Sequence, residues 1–328
     1  MKPAIVGIAG PALTAEESAL LDHAQPLGII LFARNIEEPR QLAKLIGSVC
    51  NLLGPDALVM VDQEGGRVAR LRPPHWRAHP SARTIGQLFA RDAEAGIRAA
   101  WLTGALIGFD CRDAGVALVA APVLDVADPA GHDVIGDRAF SAGPHAVAAL
   151  GGAMARGLLA AGVQPIGKHA PGHGRARADS HLTLPVLDDI SETDLIPFRA
   201  NAWLPWMMTA HIRYTARDMH FPATQSPAII GGIIRATGFT GVLITDDLAM
   251  QALNGTPGAR AAAALSAGCD VALHCSGVLD ETRSALDAIN PAAPALAGRL
   301  AAARTMATAA CQTLDAATLA SERAELLA

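Results

Sequence analysis

Aromatic residues are scarce in this chain: one Tyr, four Trp and seven Phe among 328 residues. Hydrophobic residues still make up 51%, so the core has to be built from Ala, Val, Leu and Ile, which suits buried parallel strands alternating with Ala-rich helices. Charge is thin as well. Asp, Glu, Lys and Arg amount to 17%, the formal net charge is −5, and no Lys/Arg cluster occurs. Zinc-finger spacing and aromatic–basic interleaving are also missing, which argues against a nucleic-acid partner; Arg175 and Arg177 read as a solvated loop edge or a ligand contact. No apolar run approaches the roughly 20 residues of a membrane span, and no membrane partner is expected. The five cysteines (Cys50, Cys111, Cys269, Cys275, Cys311) are odd in number and form no Cys-x-x-Cys pair. Buried thiols in a reducing compartment follow, and a cytoplasmic location is expected. The segment from Ala4 to Leu13 is broken by Gly and Pro and runs into Glu16-Glu17 without a small-residue cleavage site. It therefore reads as a first buried strand rather than a signal peptide. No Gly-x-Gly-x-x-Gly follows that strand, which weakens a dinucleotide-binding reading.

What the chain does contain is a regular alternation. Short apolar runs recur at 4–9, 27–32, 57–61, 116–123, 163–167, 206–210, 241–245 and 269–273, with helical spacing between most of them, as at 38–49, 144–159, 229–237 and 260–267. Pro144 suits a first helical turn, where its missing N–H costs nothing. Ser191 with Asp194 has the spacing of a capping box, and 254–258 is a Gly/Pro turn cluster. Strands alternating with helices imply parallel pairing, and eight such units predict a single-domain (β/α)8 TIM barrel, with an open doubly wound sheet as the alternative. The Ala-rich tail from about Pro291 reads as C-terminal packing helices, so residues 1–328 are expected to form one catalytic unit, with a monomer as the expected state.

Ionisable residues close five of these runs: Asp62, Asp125, Lys168-His169, His211 and Asp246-Asp247. A lone Asp after a strand often caps the next helix. Five in succession converge on one rim of a parallel barrel, the rim where barrel enzymes carry their active sites. The stretch 168–181 is rich in Gly and His and belongs to a loop, the kind of segment that carries function. Its His169, His173 and His181 lack His-Glu-x-x-His spacing, and Pro and Gly forbid a regular helix there, so no metal is expected. Asp179-Ser180-His181 fits a carboxylate that orients an imidazole for proton transfer near neutral pH.

Six motifs occur in order: Gly28-Ile-Ile-Leu-Phe-Ala-Arg-Asn35, Asp62-Gln-Glu-Gly-Gly-Arg-Val-Ala-Arg70, Ala121-Pro-Val-Leu-Asp125, Lys168-His-Ala-Pro-Gly-His-Gly174, Asp179-Ser-His181 and Thr245-Asp-Asp-Leu-Ala-Met250. Together, over about residues 5 to 280, they resemble glycoside hydrolase family 3, and within it the short bacterial β-N-acetylglucosaminidases of peptidoglycan recycling. The resemblance implies a retaining hydrolase without cofactor, acting on GlcNAc-1,6-anhydroMurNAc-peptides. It implies Asp246 as nucleophile, a choice that periodicity leaves open between Asp246 and Asp247. It further implies His181 as acid/base with Asp179 as its partner, and Asp62, Arg70, Arg138, Lys168 and His169 as residues that grip the N-acetylglucosamine. The chain departs from the family pattern at Arg175-Ala176, where Asp-Thr is usual, and at Ala170, where Phe is usual. Both departures fall in the loop that carries His181 and bear on its mobility and its aglycone contacts.

Other readings make different predictions. A phosphorylase on the same scaffold would accept phosphate in place of water, since a neutral His does not repel an anion. A metal-dependent barrel hydrolase would respond to chelators. A non-catalytic sugar-binding barrel would have lost Asp246, Asp179 or His181, all of which are present.

Overall fold

A computed structural model describes all 328 residues. Eight parallel strands close into a barrel: β1 (Lys2–Gly7), β2 (Pro26–Leu31), β3 (Leu58–Val61), β4 (Leu118–Val119), β5 (Gln164–Ala170), β6 (Trp206–Thr209), β7 (Val242–Asp247) and β8 (Val271–His274). Each pairs with its sequence neighbour, and β1 pairs with both β2 and β8 to complete the ring. All eight apolar runs become strands, so the closed barrel stands and the open sheet falls away.

Period-two alternation divides each strand between two cores. In β3, Leu58 and Met60 point into the barrel beside Ile5, Ile30, Leu118, Ile166 and Ile244. Val59 and Val61 point outward to the helices. Trp206 lies wholly buried in the barrel interior, and its indole N–H donates to Gln164 Oε1 at 2.8 Å. Gly28 is needed where β2 passes β3, because a Cβ there would lie 1.8 Å from the Leu58 carbonyl oxygen.

Helices return the chain between strands, among them Pro39–Leu53, Pro144–Ala160 and Pro257–Ala267, each with proline in its first turn. The tail forms two helices, Pro294–Ala310 and Ala316–Leu327. The first of them closes the bottom of the barrel: Leu296, Leu300 and Ala303 join the interior cluster, and Arg299 pairs with Asp270 just before β8.

Some local detail differs from the sequence reading. The run at 116–123 keeps only two ladder residues, Leu118 and Val119, and beyond them stays beside β5 through backbone bonds to the Ala121 and Pro122 carbonyls and a bridge between Val123 and Lys168. β5 is longer than expected and takes Lys168 and His169 into the strand itself. The segment 229–237 is no single α-helix: a short α turn gives way to a wide π turn across Gly231-Gly232 and then a 3-10 turn, in keeping with the low helix propensity of glycine. An outlying parallel pair, Val186–Leu187 with Arg213–Tyr214, has no clear alternation signal and was not anticipated. No helix is long and apolar enough to cross a membrane.

Candidate active site

A cavity of about 520 Å³ opens at the C-terminal ends of the strands. All eight residues to which the family resemblance gives a role line it, namely Asp62, Arg70, Arg138, Lys168, His169, Asp179, His181 and Asp246; of the other strand-end groups Asp247 lines it too, whereas Asp125 and His211 lie behind the wall. The eight come from β5, β7 and the loops after β3, β4 and β5, and only closure of the ring makes them neighbours.

The floor is an interlocked ionic cluster. Lys168, 2% exposed, sits between two carboxylates, with Nζ 3.0 Å from Asp62 Oδ1 and 2.6 Å from Glu64 Oε1. Arg138 forks onto Glu64 with two bonds of 2.9 Å, the bidentate geometry that fixes both partners. Arg70 Nη2 reaches Asp62 Oδ2 at 3.1 Å, and its guanidinium lies over the Phe32 ring. Burial alone would raise both carboxylic pKa values, but the neighbouring cations outweigh it. Arg138 and Lys168 hold Glu64 at about 2, and Lys168 and Arg70 hold Asp62 below its ordinary value. Burial would likewise lower the pKa of Lys168, yet Asp62 and Glu64 raise it, so the ammonium persists.

Asp125, fully buried, organises the next layer. Its carboxylate accepts from His169 Nδ1 at 2.7 Å and from the backbone N–H of His173 at 2.7 Å. A carboxylate on Nδ1 assigns the proton to that nitrogen and leaves His169 Nε2 as an acceptor, and Arg138 Nη2 approaches it at 3.5 Å. Burial disfavours the Asp125 anion, but His169 and its hydrogen bond stabilise it and lower its pKa.

At the end of β7 the two adjacent carboxylates differ in their hydrogen bonds. Asp247 Oδ1 accepts backbone N–H groups from Ala249 at 2.8 Å and Cys275 at 2.9 Å. Asp246 accepts only the Asp247 N–H, at 2.8 Å. Burial opposes ionisation of Asp246, yet His169 and His211 lower its pKa. Burial and the adjacent Asp246 charge raise that of Asp247. His211 stands behind this turn and donates from Nε2 to the Asp247 carbonyl at 2.9 Å, while Thr224 meets its Nδ1 at 2.8 Å.

Above the cavity, Asp179 Oδ1 accepts from His181 Nδ1 at 2.7 Å and from the His181 backbone N–H at 2.9 Å. The His181 side chain is 61% exposed, which leaves Nε2 free to face a ligand. The three histidines of this loop thus have three different partners: Asp125 for His169, Ser180 for His173 and Asp179 for His181. No group of three or more His, Cys, Asp or Glu side chains is arranged to hold a metal ion.

The departure at Arg175 has a structural use. Its guanidinium binds Asp194 at 2.8 Å and the Asp189 carbonyl at 2.6 Å, outside the cavity. Asp194 at the same time accepts the Ser191 N–H at 3.3 Å, as the capping-box spacing predicts. Ala176 is buried, and its carbonyl accepts from the His132 backbone N–H at 2.7 Å. Residues without a role in the sequence reading also belong to the site. Glu64 is the central one, and its position two residues after Asp62 in an extended segment was the available signal. Arg67, His132 and Asp133 line the rim from loops, where spacing gives no guide.

Comparison with known proteins places these features in company. The Glycosyl hydrolase family 3 N terminal domain model matches residues 5–309. A β-hexosaminidase of Bordetella avium is 41% identical over 283 residues, covering 84% of this chain and 80% of that one. Another, from Methylococcus capsulatus, is 40% identical over 306 residues, covering 90% and 89%. Among solved structures, NagZ from Neisseria gonorrhoeae in complex with N-trifluoroacetyl-D-glucosamine superposes with a TM-score of 0.86 at 35% identity, covering 100% of this chain and 98% of that one. A family 3 β-N-acetylglucosaminidase from Paenibacillus gives 0.84 at 30% identity, covering 95% of this chain and 62% of the longer protein.

Proposed function

The chain belongs to glycoside hydrolase family 3 and acts as a β-N-acetylhexosaminidase, and from that premise we propose that it releases terminal β-1,4-linked N-acetylglucosamine from GlcNAc-1,6-anhydroMurNAc-peptides, as in peptidoglycan recycling, with retention of configuration. The observation that carries this reading is the contrast at the end of β7: both carboxylates line the cavity, but Asp247 is held by two backbone N–H groups, whereas Asp246 presents a half-buried, ionised carboxylate that accepts only the Asp247 N–H.

In the first step Asp246 attacks the anomeric carbon as the C1–O4 bond breaks. His181 gives its Nε2 proton to the departing O4, and Asp179 on Nδ1 stabilises the proton-bearing ring. A covalent glycosyl-enzyme results. In the second step the neutral imidazole takes a proton from water, the oxygen bonds to C1, and Asp246 leaves as carboxylate. Because the base is neutral, it does not repel the anionic nucleophile beneath it. Lys168, Arg70 and Arg138 donate to sugar oxygens, Asp62 accepts from hydroxyls, and His169 offers Nε2. Polar forks dominate recognition, since Phe32 is the only Phe, Tyr or Trp on the cavity wall.

The test is a fluorinated N-acetylglucosaminide that forms its glycosyl-enzyme faster than it hydrolyses. The label is expected on the peptide containing Asp246; a label elsewhere, or none with turnover intact, overturns the assignment. Running the reaction in phosphate and looking for GlcNAc-1-phosphate separates hydrolysis from phosphorolysis.

A further inference from the structure

Between residues 178 and 184 only one side-chain hydrogen bond leaves the segment that carries Asp179 and His181. It joins Ser180 Oγ to His173 Nε2 at 3.1 Å. Both residues are 2% exposed, while the His181 side chain next to them is 61% exposed. The other ties to the barrel are two backbone bonds, Gln251 N–H to the His181 carbonyl and Ala252 N–H to the Ser180 carbonyl, each at 3.3 Å. The remaining bonds of this stretch, from the Leu182 and Thr183 N–H groups to the Asp179 carbonyl, are internal to the loop. A solvent-facing dyad is therefore pegged down by a buried hydroxyl.

His173 is built for that purpose. Its backbone N–H is fixed by Asp125, the carboxylate that also orients His169, and its ring packs edge-on against His169 with centroids 5.7 Å apart. Nδ1 is buried without a partner, so Ser180 is the sole polar contact of the ring. Burial and the facing His169 keep its pKa down at about 4, and a neutral ring either donates to or accepts from the serine.

We propose that the Ser180–His173 hydrogen bond is a latch that sets the Asp179–His181 dyad over the cavity, which makes both residues positioning groups for proton transfer to the leaving oxygen. The proposal rests on the reading of His181 as acid/base. The latch links the dyad through His173 and Asp125 to the same support that orients His169, so sugar-binding floor and proton donor share one frame. Neither Ser180 nor His173 exchanges a proton with substrate in this scheme.

The experiment compares kcat/KM on two β-N-acetylglucosaminides, a 2,4-dinitrophenyl substrate whose departure needs no proton and a phenyl substrate whose departure does. With one neutral hydrogen bond lost, Ser180→Ala is expected to lose about tenfold on the phenyl substrate and less than about twofold on the dinitrophenyl one. His173→Phe should match it, the double variant should be no worse than either single one, and His173→Gln, which keeps a polar atom near the Nε2 position, should recover most of the loss. Equal loss on both substrates, or no loss on the phenyl substrate, overturns the latch; if His173→Phe does not fold, Ser180→Ala decides alone. His181→Ala is the control: leaving-group dependence there but not in Ser180→Ala removes the latch, whereas its absence in His181→Ala removes the acid/base reading itself.

Discussion

Asp246 and Asp247 share a strand end and a side-chain type, and only their hydrogen bonds tell them apart. That contrast makes the pair a sharp test. Asp246→Asn should lower turnover at least about a thousandfold while the protein stays folded, as expected for loss of a nucleophile. Asp247→Asn retains the Oδ1 that accepts both N–H groups and should fold normally; Asp247→Ala strands two donors and should cost about 1–3 kcal/mol in denaturant unfolding. Glu64 supplies a second prediction at this scale. Its folded pKa of about 2 lies below its ordinary 4.5, so the stability it contributes is present above pH 4.5 and drains away as pH falls through that window. Urea midpoints measured between pH 6 and pH 2 should therefore fall less steeply in Glu64→Gln than in the parent. The variant should also bind sugar poorly, because Arg138 and Lys168 lose their common anchor.

The loop from His173 to Thr183 is the element whose behaviour matters most. Arg175 ties its stem to Asp194, and that carboxylate also caps the helix Glu192–Ala200. Truncation at Arg175 leaves a buried carboxylate without its cation. Arg175→Ala is expected to cost about 1–3 kcal/mol and to speed amide hydrogen exchange across 174–184. Exchange unchanged in that segment would show that the tie is idle. The same element shows where spacing is informative. The capping box at Ser191 was legible because it is a local, four-residue pattern. The use of Arg175 was not, since its partner lies 19 residues away across a turn.

At the scale of the molecule, stability and chemistry occupy opposite ends of one barrel. The helix Pro294–Ala310 seals the bottom with Leu296, Leu300 and Ala303, while every cavity residue named above sits at the top. Leu300→Ala should cost about 2–4 kcal/mol by opening a void in the floor, with KM unchanged on a nitrophenyl β-N-acetylglucosaminide. A shifted KM would mean that strain crosses the barrel. Since all eight predicted residues come from one chain into one cavity, we also expect sedimentation at the monomer mass of 33.7 kDa with full activity.

The barrel itself was legible in the amino-acid order. Eight apolar runs separated by helical segments leave few arrangements that bury both faces of every strand, and period-two alternation assigns each strand residue to one core or the other. The rim was legible too, because ionisable residues closing successive parallel strands have to share an end. What the order could not supply was the pairing across that rim. Glu64 meets Arg138 across 74 positions and Lys168 meets Asp62 across 106. No local pattern encodes such contacts, since they exist only once the ring has closed. The difference between Asp246 and Asp247 belongs to the same class: both are strand-end carboxylates in the sequence, and only in the folded chain do the N–H groups of Ala249 and Cys275 meet Asp247 and leave Asp246 with the Asp247 N–H alone.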